Sequence, residues 1–220
     1  MLLARCSVEV FMPDNGKSRP IRFAGSDVGE DRHICAFFDS AEDEYRVLLP
    51  FIAEGLQRGE KAFHVVAPSL VEDHIGRLQR AGIDVAGTRA TGQFKLCDWD
   101  KAYFPDGRFD MQRMVDMWRG ELASTKGEGF PSTRLVAHME WSLEKRDGVS
   151  DILEYEARFN EVPHREHVVI CTYDVRKYPG DFIIDVMRTH PLVIIGGILH
   201  KNPFYVPPHE FVRALRARSS

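Results

Sequence analysis

Six short apolar runs alternate with helix-like segments along most of this chain, and this alternation constrains its fold more than any other feature. Each run has the length and the β-branched or aromatic content of a buried strand. Continuous apolar strands are typical of parallel sheets that are covered on both faces. The predicted strands are HICAFF (33–38), KAFHVVA (61–67), QFKLCDW (93–99), RLVAHMEW (134–141), HVVICTY (167–173) and LVIIGGIL (192–199).

Helical patterns fill the intervals between these runs. In the first, Ser40 or Asp39 can cap the N-terminus, acidic residues follow in the first turn, and Gly59 suits the end. Pro50 lies inside this helix and predicts a kink. The alternating order predicts a three-layer α/β/α fold with a mainly parallel sheet. Further helices are expected around residues 69–81, 110–126, 150–160 and 180–189.

The length of 220 residues fits one domain. We expect that domain over residues 31–215, with residues 1–30 forming an N-terminal extension or an extra edge strand. The net charge of −4 offers no general attraction to nucleic acid or to an anionic membrane surface. The run 192–199 is too short to cross a bilayer, and the N-terminus lacks the apolar core of a signal peptide. We therefore expect a cytoplasmic protein that binds neither nucleic acid nor membrane.

The cysteines and clustered histidines give no metal pattern. Four cysteines are too few and too scattered for a disulfide framework or a C-x-x-C pair. Cys35, Cys97 and Cys171 lie in predicted strands, where buried thiols are expected. His164 and His167 are three residues apart, but no third ligand has a convincing spacing. We expect no metal and no cofactor.

Acidic and aromatic residues follow several predicted strands. Ligands of open parallel sheets bind beyond the carboxyl ends of the strands, and aromatic rings with carboxylates suit a small apolar or cationic organic compound. The first strand-to-helix turn lacks the G-x-x-x-x-G-K-[ST] loop and is acidic, so its electrostatics oppose ATP hydrolysis. The predicted ligand-binding residues are His33, Phe38, Asp39, Trp99, Glu140, Trp141, Glu156, Tyr173, Asp174, His200, Asn202 and Tyr205.

Structural interpretations of these residues stay open. His33 can be a structural histidine with its hydrogen bonds made inside a strand as well as a site residue. Glu140 can be a carboxylate that pairs with an arginine or with backbone donors. Each aromatic residue, taken singly, can equally lie in the core or at an edge of the sheet. His33 and Cys35 share one face of a strand, which is not sufficient for a nucleophile.

The two histidines that flank the last predicted strand have different expected roles. A single strand over 192–199 separates His190 from His200 by roughly 26 Å. His190 is then structural, whereas His200 and Asn202 emerge at the carboxyl end. Gly196 and Gly197 would allow a close approach of backbone or ligand, or a local bulge.

Several blocks of the chain resemble a known sensory family. They are, in order, HICAFFDSAEDEYRVLLPFIAEGLQRGEKAFHVV, LVAHMEW, LEYEARFN and VVICTYDVRKYPGDFIIDVMRTHPLVIIGGILHKNPFYVPP. Together they are similar to the MEDS domain, the methanogen/methylotroph sensory domain, over roughly residues 31–213. The resemblance implies a RecA/KaiC-like core without a functional phosphate loop. It also implies the sensing of small one-carbon or hydrocarbon-derived compounds, and it raises Glu156 and Asn160 as inward-facing polar groups.

Three functions follow as hypotheses. The first is a sensory or regulatory protein that binds a small organic ligand. No helix-turn-helix or kinase motif is visible, so its signal is expected to pass through a signalling partner or a homo-oligomer. The alternative is a protein-interaction regulator of a kinase or sigma-factor pathway, which docks through KNPFYVPP (201–208) and has no small-molecule ligand. An enzyme that uses Glu140, Asp174 and a histidine as acid and base comes last.

Overall fold

The computed structural model describes residues 20–162 and 165–218. Nine strands of three to seven residues form within the described residues, most of them in the predicted apolar runs. The strands are β1 (Ile21–Phe23), β2 (Ser26–Val28), β3 (His33–Phe38), β4 (Lys61–Val66), β5 (Phe94–Asp98), β6 (Thr133–His138), β7 (Val168–Asp174), β8 (Leu192–Ile195) and β9 (Ile198–Lys201).

Seven of these strands form the main sheet in the order β5-β4-β6-β7-β3-β8-β9. All neighbours from β5 to β8 pair in parallel, and β8 with β9 is antiparallel. The chain therefore leaves and re-enters the sheet through helical crossovers, as parallel pairing requires. The predicted three-layer α/β/α fold is confirmed.

Helices cover both faces of the sheet. Every predicted helical region contains one, whereas α3, α4 and α8 were not predicted. The helices are α1 (Ala41–Gln57), α2 (Val71–Arg80), α3 (Val85–Ala90), α4 (Trp99–Tyr103), α5 (Met111–Ser124), α6 (Ile152–Phe159), α7 (Gly180–Thr189) and α8 (Pro208–Arg218).

The first helix follows its predicted boundaries. The Ser40 side chain accepts a hydrogen bond from the Asp43 backbone N–H at 3.2 Å and caps α1. Gly59, just beyond the end, has a φ of +75°, which favours glycine. The helix runs through Pro50 without a break. Local sequence therefore sets the position of α1.

Two hydrophobic layers lie on either side of the sheet. One packs the sheet against α4, α5, α6 and α7, and the other packs it against α1, α2, α3 and the β1–β2 hairpin. Because side chains alternate along a strand, His33 and Cys35 face the α6 and α7 layer while Ile34 faces α1. This alternation decides which polar side chains of β3 meet which helix.

The expected single strand over 192–199 is wrong. β8 and β9 form an antiparallel hairpin, and its two-residue turn consists of Gly196 (φ +59°) and Gly197 (φ +76°). Two consecutive positive φ angles match the tight turns that join antiparallel strands, and glycine adopts them at little cost. An uninterrupted apolar run does not distinguish this hairpin from a longer strand.

The hairpin returns the chain to the amino-terminal end of the sheet. Lys201 pairs with Leu192, and His200 pairs with Val193. His200 and Asn202 therefore lie at the amino-terminal end of β8 and not at the carboxyl end, where they were expected.

The described part of the N-terminal segment forms a small hairpin outside the main sheet. β1 and β2 pair with each other, and the Leu199 backbone N–H donates to Ala24 O at 3.0 Å. Residues 1–19, which include Cys6, lie outside the described residues.

None of the helices within residues 20–162 and 165–218 combines the length and the apolar character that crossing a bilayer requires.

Candidate functional site

The predicted ligand-binding residues separate into two groups at opposite ends of the sheet. The carboxyl-end group lies at or just after the ends of β3, β5, β6 and β7, and its members are Phe38, Asp39, Trp99, Glu140, Trp141, Tyr173 and Asp174. The amino-end group lies near the start of β3 and the β8–β9 hairpin, and its members are His33, Glu156, His200, Asn202 and Tyr205. No single pocket can include both groups.

Basic side chains neutralise two carboxylates of the carboxyl-end group. Arg176 donates to both oxygens of Asp174 at 3.0 and 2.9 Å, and Lys177 donates to Glu140 Oε1 at 3.3 Å. The hydrogen bonds from Arg176 lower the pKa of Asp174 below its usual value. Asp39 is exposed at the same end. Asp174 is thus paired at both oxygens, whereas Glu140 Oε2 is buried without a hydrogen-bond partner among the described residues.

The aromatic residues expected at this rim belong mostly to the core. Trp141 and Tyr173 are fully buried, and Phe38 is buried against the other face of the sheet. A 3-10 turn directly after β6 carries Trp141 inward, where its ring stacks on Tyr103 with 4.2 Å between centroids. Trp99 begins α4 and is half-buried. The expectation of an aromatic rim is therefore wrong for Trp141, Tyr173 and Phe38.

A fully buried polar cluster lies at the other end, between the sheet and helices α6 and α7. It takes one residue each from β3, α6, β7 and the end of α7. One ligand atom of each residue lies within 4.8 Å of those of the others. The members of this cluster, called the His-Glu-Cys cluster below, are His33, Glu156, Cys171 and His190.

Short distances join these four side chains. Glu156 Oε2 lies 3.1 Å from His190 Nε2 and 3.5 Å from His33 Nε2. Cys171 Sγ lies 3.6 Å from the same His33 nitrogen. Both imidazoles thus present Nε2 towards the carboxylate.

Hydrogen bonds on the far side of each imidazole fix the tautomer. The amide N–H₂ of Asn160 donates to Thr189 O at 2.8 Å and to Ala157 O at 3.1 Å, so its oxygen faces His33 Nδ1 at 3.2 Å and accepts from it. His190 Nδ1 lies 2.9 Å from the carbonyl oxygen of Val186, which can only accept. Each Nδ1 therefore carries a proton, and each Nε2 is the inward atom.

The carboxylate of Glu156 is incompletely satisfied. Both of its oxygens and His190 Nε2 are buried without an aligned hydrogen-bond partner among the described residues. Burial raises the pKa of Glu156, but the adjacent imidazoles of His190 and His33 outweigh burial and lower it to about 2. Burial, with the nearby charge of Glu156, raises the pKa of the Cys171 thiol. A buried anion therefore faces two imidazoles and a thiol.

Sequence reasoning found only half of this cluster. His33 and Glu156 were predicted as site residues, His190 as structural and Cys171 as a buried thiol. Because the four residues come from separate elements, no local spacing reveals them. His164, weighed as a partner of His167, lies outside the described residues.

Asn202 holds the helix end that carries His190. Its amide N–H₂ donates to Met187 O at 2.6 Å and to His190 O at 2.7 Å, and its backbone carbonyl oxygen accepts from the Tyr205 backbone N–H at 3.3 Å. Asn202 is therefore a buried clamp on the end of α7, whereas His200 is exposed.

A cleft of about 260 Å³ opens beside the His-Glu-Cys cluster, and is called the amino-end cleft below. Asn160 lines this cleft and also contacts His33, so one side chain separates the cleft from the cluster. Tyr205 lines it from the segment after β9. Its lining residues are Glu30, Asp31, Arg32, Asn160, Glu161, Val162, Arg165, Pro191 and Tyr205.

A second buried histidine group lies on the opposite face of the sheet, under α1 and α2. Tyr45 OH lies 2.5 Å from His74 Nδ1, and His74 Nε2 lies 2.8 Å from His64 Nδ1. Burial, with charge from neighbouring histidines, lowers the pKa of His64 to about 3 and that of His74 well below its usual value. Both rings are therefore neutral near pH 7.

Comparison with known proteins identifies the family. Residues 32–191 match the family described as MEDS, the MEthanogen/methylotroph, DcmR Sensory domain. The chain belongs to the MEDS family. A relative of this MEDS chain is the transcriptional repressor DcmR of Methylorubrum extorquens, which is 27% identical over 195 residues, or 84% of this chain and 70% of DcmR. The expected resemblance is confirmed.

Solved structures show the fold of this MEDS chain. The flagellar accessory protein FlaH of Methanocaldococcus jannaschii superimposes with a TM-score of 0.50 at 13% identity, over 77% of this chain and 75% of FlaH. A KaiC-like protein of Pyrococcus horikoshii gives a TM-score of 0.49 at 13% identity, over 74% and 69% of the two chains. The likeness to FlaH agrees with the predicted α/β fold, and at this identity it concerns the fold alone.

The MEDS chain has no phosphate loop in the first strand-to-helix turn. Between β3 and α1 stand only Asp39 and Ser40, and the first helical turn is acidic. A phosphate at this helix terminus would meet carboxylates instead of a glycine-rich cradle.

Proposed function

We propose that this MEDS chain is a sensory and regulatory protein that binds a small one-carbon or hydrocarbon-derived compound. Its signal passes through a partner chain or a second copy of itself. The observation that carries the proposal is the match of residues 32–191 to a sensory family, with a transcriptional repressor as a relative.

The amino-end cleft is the location that the geometry favours. Its volume of about 260 Å³ lies below the roughly 300 to 1,000 Å³ of pockets for drug-sized ligands, which suits a compound of few atoms. Val162, Pro191 and the Tyr205 ring offer apolar contacts, and Asn160 offers an amide. The carboxyl-end group supports a ligand less well, because Arg176 already binds both oxygens of Asp174 and Lys177 binds one oxygen of Glu140.

The contacts of the cleft supply a route for a signal. Asn160 donates to Thr189 O at the end of α7, and Tyr205 follows the Asn202 clamp on the same helix end. A ligand that moves Asn160 or Tyr205 therefore acts on α7 and on β8, which follows it. A ligand shifts a conformational equilibrium when its contacts with the two conformations differ in free energy.

Titration calorimetry of the full chain against small alcohols, aldehydes, methylamines and halogenated hydrocarbons tests this proposal. Tyr205→Ala should weaken binding at least tenfold. Phe204→Ala is the matched control, since Phe204 is the exposed neighbour and does not line the cleft. Loss of binding in Asp39→Asn with retention in Tyr205→Ala would move the site to the carboxyl end. If the chain binds none of these compounds, the sensory proposal is contradicted.

The alternative of a protein-interaction regulator is favoured by exposed apolar side chains. Ile195 and Ile198 flank the hairpin turn and are about half exposed, and Phe204 is 62% exposed. Exposed apolar residues of this kind favour contact with another protein. In that case, Phe204→Ala should abolish a dimer or complex seen by light scattering, and the wild type should bind none of the small compounds.

A further inference from the structure

We infer that the His-Glu-Cys cluster is a tetrahedral binding site for a divalent transition-metal cation of the zinc type. The ligands are Nε2 of His33 and His190, a carboxylate oxygen of Glu156 and the thiolate of Cys171. This site goes beyond the proposed sensing of an organic compound, because its occupancy can be measured with no compound present.

Three distances between the ligand atoms fit such a site. Zinc bonds of about 2.0 to 2.3 Å place the ligand atoms of a tetrahedron roughly 3.3 to 3.7 Å apart. The corresponding separations are 3.1 Å and 3.5 Å from Glu156 Oε2 to the two imidazoles, and 3.6 Å from Cys171 Sγ to His33 Nε2. All four ligand atoms lie within 4.8 Å of one another, so a cation at the centre would draw the more distant pairs together.

The surroundings of the two histidines match those of metal ligands. A histidine that binds a metal generally donates its other ring N–H to a carbonyl or carboxylate, which leaves the inward nitrogen as a lone pair. His190 Nδ1 donates to Val186 O, and His33 Nδ1 donates to the Asn160 amide oxygen. Both rings are thereby oriented with Nε2 towards the Glu156 carboxylate.

The charges of the cluster favour a cation. The Glu156 carboxylate is fully buried, and neither of its oxygens has an aligned hydrogen-bond donor among the residues that the structure describes. Within the cluster, positive charge would come from protonation of Nε2, and two imidazolium rings with centroids 4.0 Å apart would repel each other. A divalent cation instead accepts both lone pairs and balances the two charges of the carboxylate and a thiolate.

The donor set points to zinc among common cations. Two imidazole nitrogens, one thiolate and one carboxylate oxygen suit borderline-soft cations, whereas magnesium and calcium prefer oxygen ligands. Burial raises the pKa of the Cys171 thiol in the metal-free state, so binding releases its proton to solvent. Asn160 stands between the cluster and the amino-end cleft, so a movement of this side chain would open a path for the cation.

Metal analysis of the full, untagged chain tests this inference. After purification without chelator, elemental mass spectrometry should find about one zinc per chain. After removal of that metal, added Co²⁺ should produce the visible bands of tetrahedral cobalt and a thiolate charge-transfer band in the near ultraviolet. Cys171→Ser should abolish the charge-transfer band. Cys35→Ser is the matched control and should keep it, because Cys35 is a buried thiol outside the cluster.

A positioning variant separates metal binding from folding. Asn160→Ala removes the acceptor of His33 Nδ1 without removing a ligand, and should weaken Co²⁺ binding roughly 10- to 100-fold with its spectrum retained. Wild-type protein that contains no zinc and gives no cobalt spectrum would overturn the inference and leave a buried Glu-His ion pair. A charge-transfer band that persists in Cys171→Ser would also overturn it, since the cation would then lie elsewhere.

Discussion

Glu156 Oε2 lies 3.1 Å from His190 Nε2, and both side chains are fully buried. The carboxylate belongs to α6 and the imidazole follows α7, so their contact joins two helices that cover the same face of the sheet. His33 and Cys171 approach the pair from the sheet. The ionisation of this group therefore affects the packing of α6 and α7.

The first prediction concerns acid stability through Glu156. Its pKa is about 2 in the folded chain and about 4.5 when exposed. A lowered pKa contributes stability that is fully present above pH 4.5 and is lost as the pH falls towards 2. Urea unfolding with a chelator present should show that the free energy of unfolding falls less between pH 5 and pH 3 in Glu156→Gln than in the wild type. Parallel curves would contradict this role of Glu156.

The second prediction concerns His64 and His74. Burial holds the pKa of His64 at about 3 and that of His74 well below 6.5, so both are neutral when folded and take up protons on unfolding below pH 6.5. Stability should fall by up to about 1.4 kcal/mol per histidine for each pH unit below 6.5. In urea unfolding, the free energy of unfolding of His74→Gln should fall less from pH 7 to pH 5 than that of the wild type. His209→Gln, at an exposed position, should match the wild type.

The third prediction concerns Gly55 in α1. A Cβ at this position would lie 2.6 Å from Cδ and Nε of Arg134, which is buried and bonded to Glu54, Glu60 and Phe51 O. Gly55→Ala should destabilise the chain by about 1 to 3 kcal/mol in chemical denaturation, although alanine favours helix.

Gly120 provides the control for Gly55. It lies inside α5, and no atom would meet its added Cβ within 4 Å. Gly120→Ala should therefore stabilise the chain by about 0.5 to 1 kcal/mol. Equal effects of the two substitutions would show that Arg134 does not need the space beside Gly55.

The fourth prediction concerns the β8–β9 turn. Gly196 has a φ of +59°, and an added Cβ there would meet no atom within 4 Å, so only backbone conformation restricts this position. Asparagine adopts the left-handed backbone region more readily than a β-branched residue does. Gly196→Asn should leave the free energy of unfolding within about 0.5 kcal/mol, whereas Gly196→Val should lower it by about 1 to 2 kcal/mol. Similar values for both variants would contradict the turn assignment.

The fifth prediction concerns nucleotide binding. The first turn of α1 is acidic and has no glycine-rich loop before it. Millimolar ATP with Mg²⁺ should therefore leave the Tm unchanged, with the same concentration of Mg²⁺ alone as the control. A clear rise with ATP would show that the fold has kept a phosphate site.

The sheet and its main helices were predictable because their causes are local. Apolar runs gave six strand positions, and the Ser40 cap and Gly59 marked the ends of α1. The hairpin at Gly196 was not predictable in the same way. Both a long strand and a hairpin bury an apolar run, and the pairing of β8 with both β3 and β9 decides between them.

The candidate site was only partly predictable. His33 and Glu156 stood out as polar residues in the blocks that resemble MEDS, whereas Trp141 and Tyr173 were assigned to a rim and lie in the core. A position just after a strand does not reveal whether the chain turns inward, as it does after β6. Cys171 and His190 gave no signal, since their partners are distant in sequence.

The sequence by itself determined the layered parallel fold, the absence of a phosphate loop from the first turn and the MEDS family. These depend on local composition, periodicity and ordered blocks of residues. Only the tertiary structure decided that His33, Glu156, Cys171 and His190 meet. Their contact depends on the strand order, on the alternation of side chains along β3 and β7, and on the packing of α6 and α7 over one face of the sheet. Side chains from four elements converge through packing, which no spacing along the chain encodes.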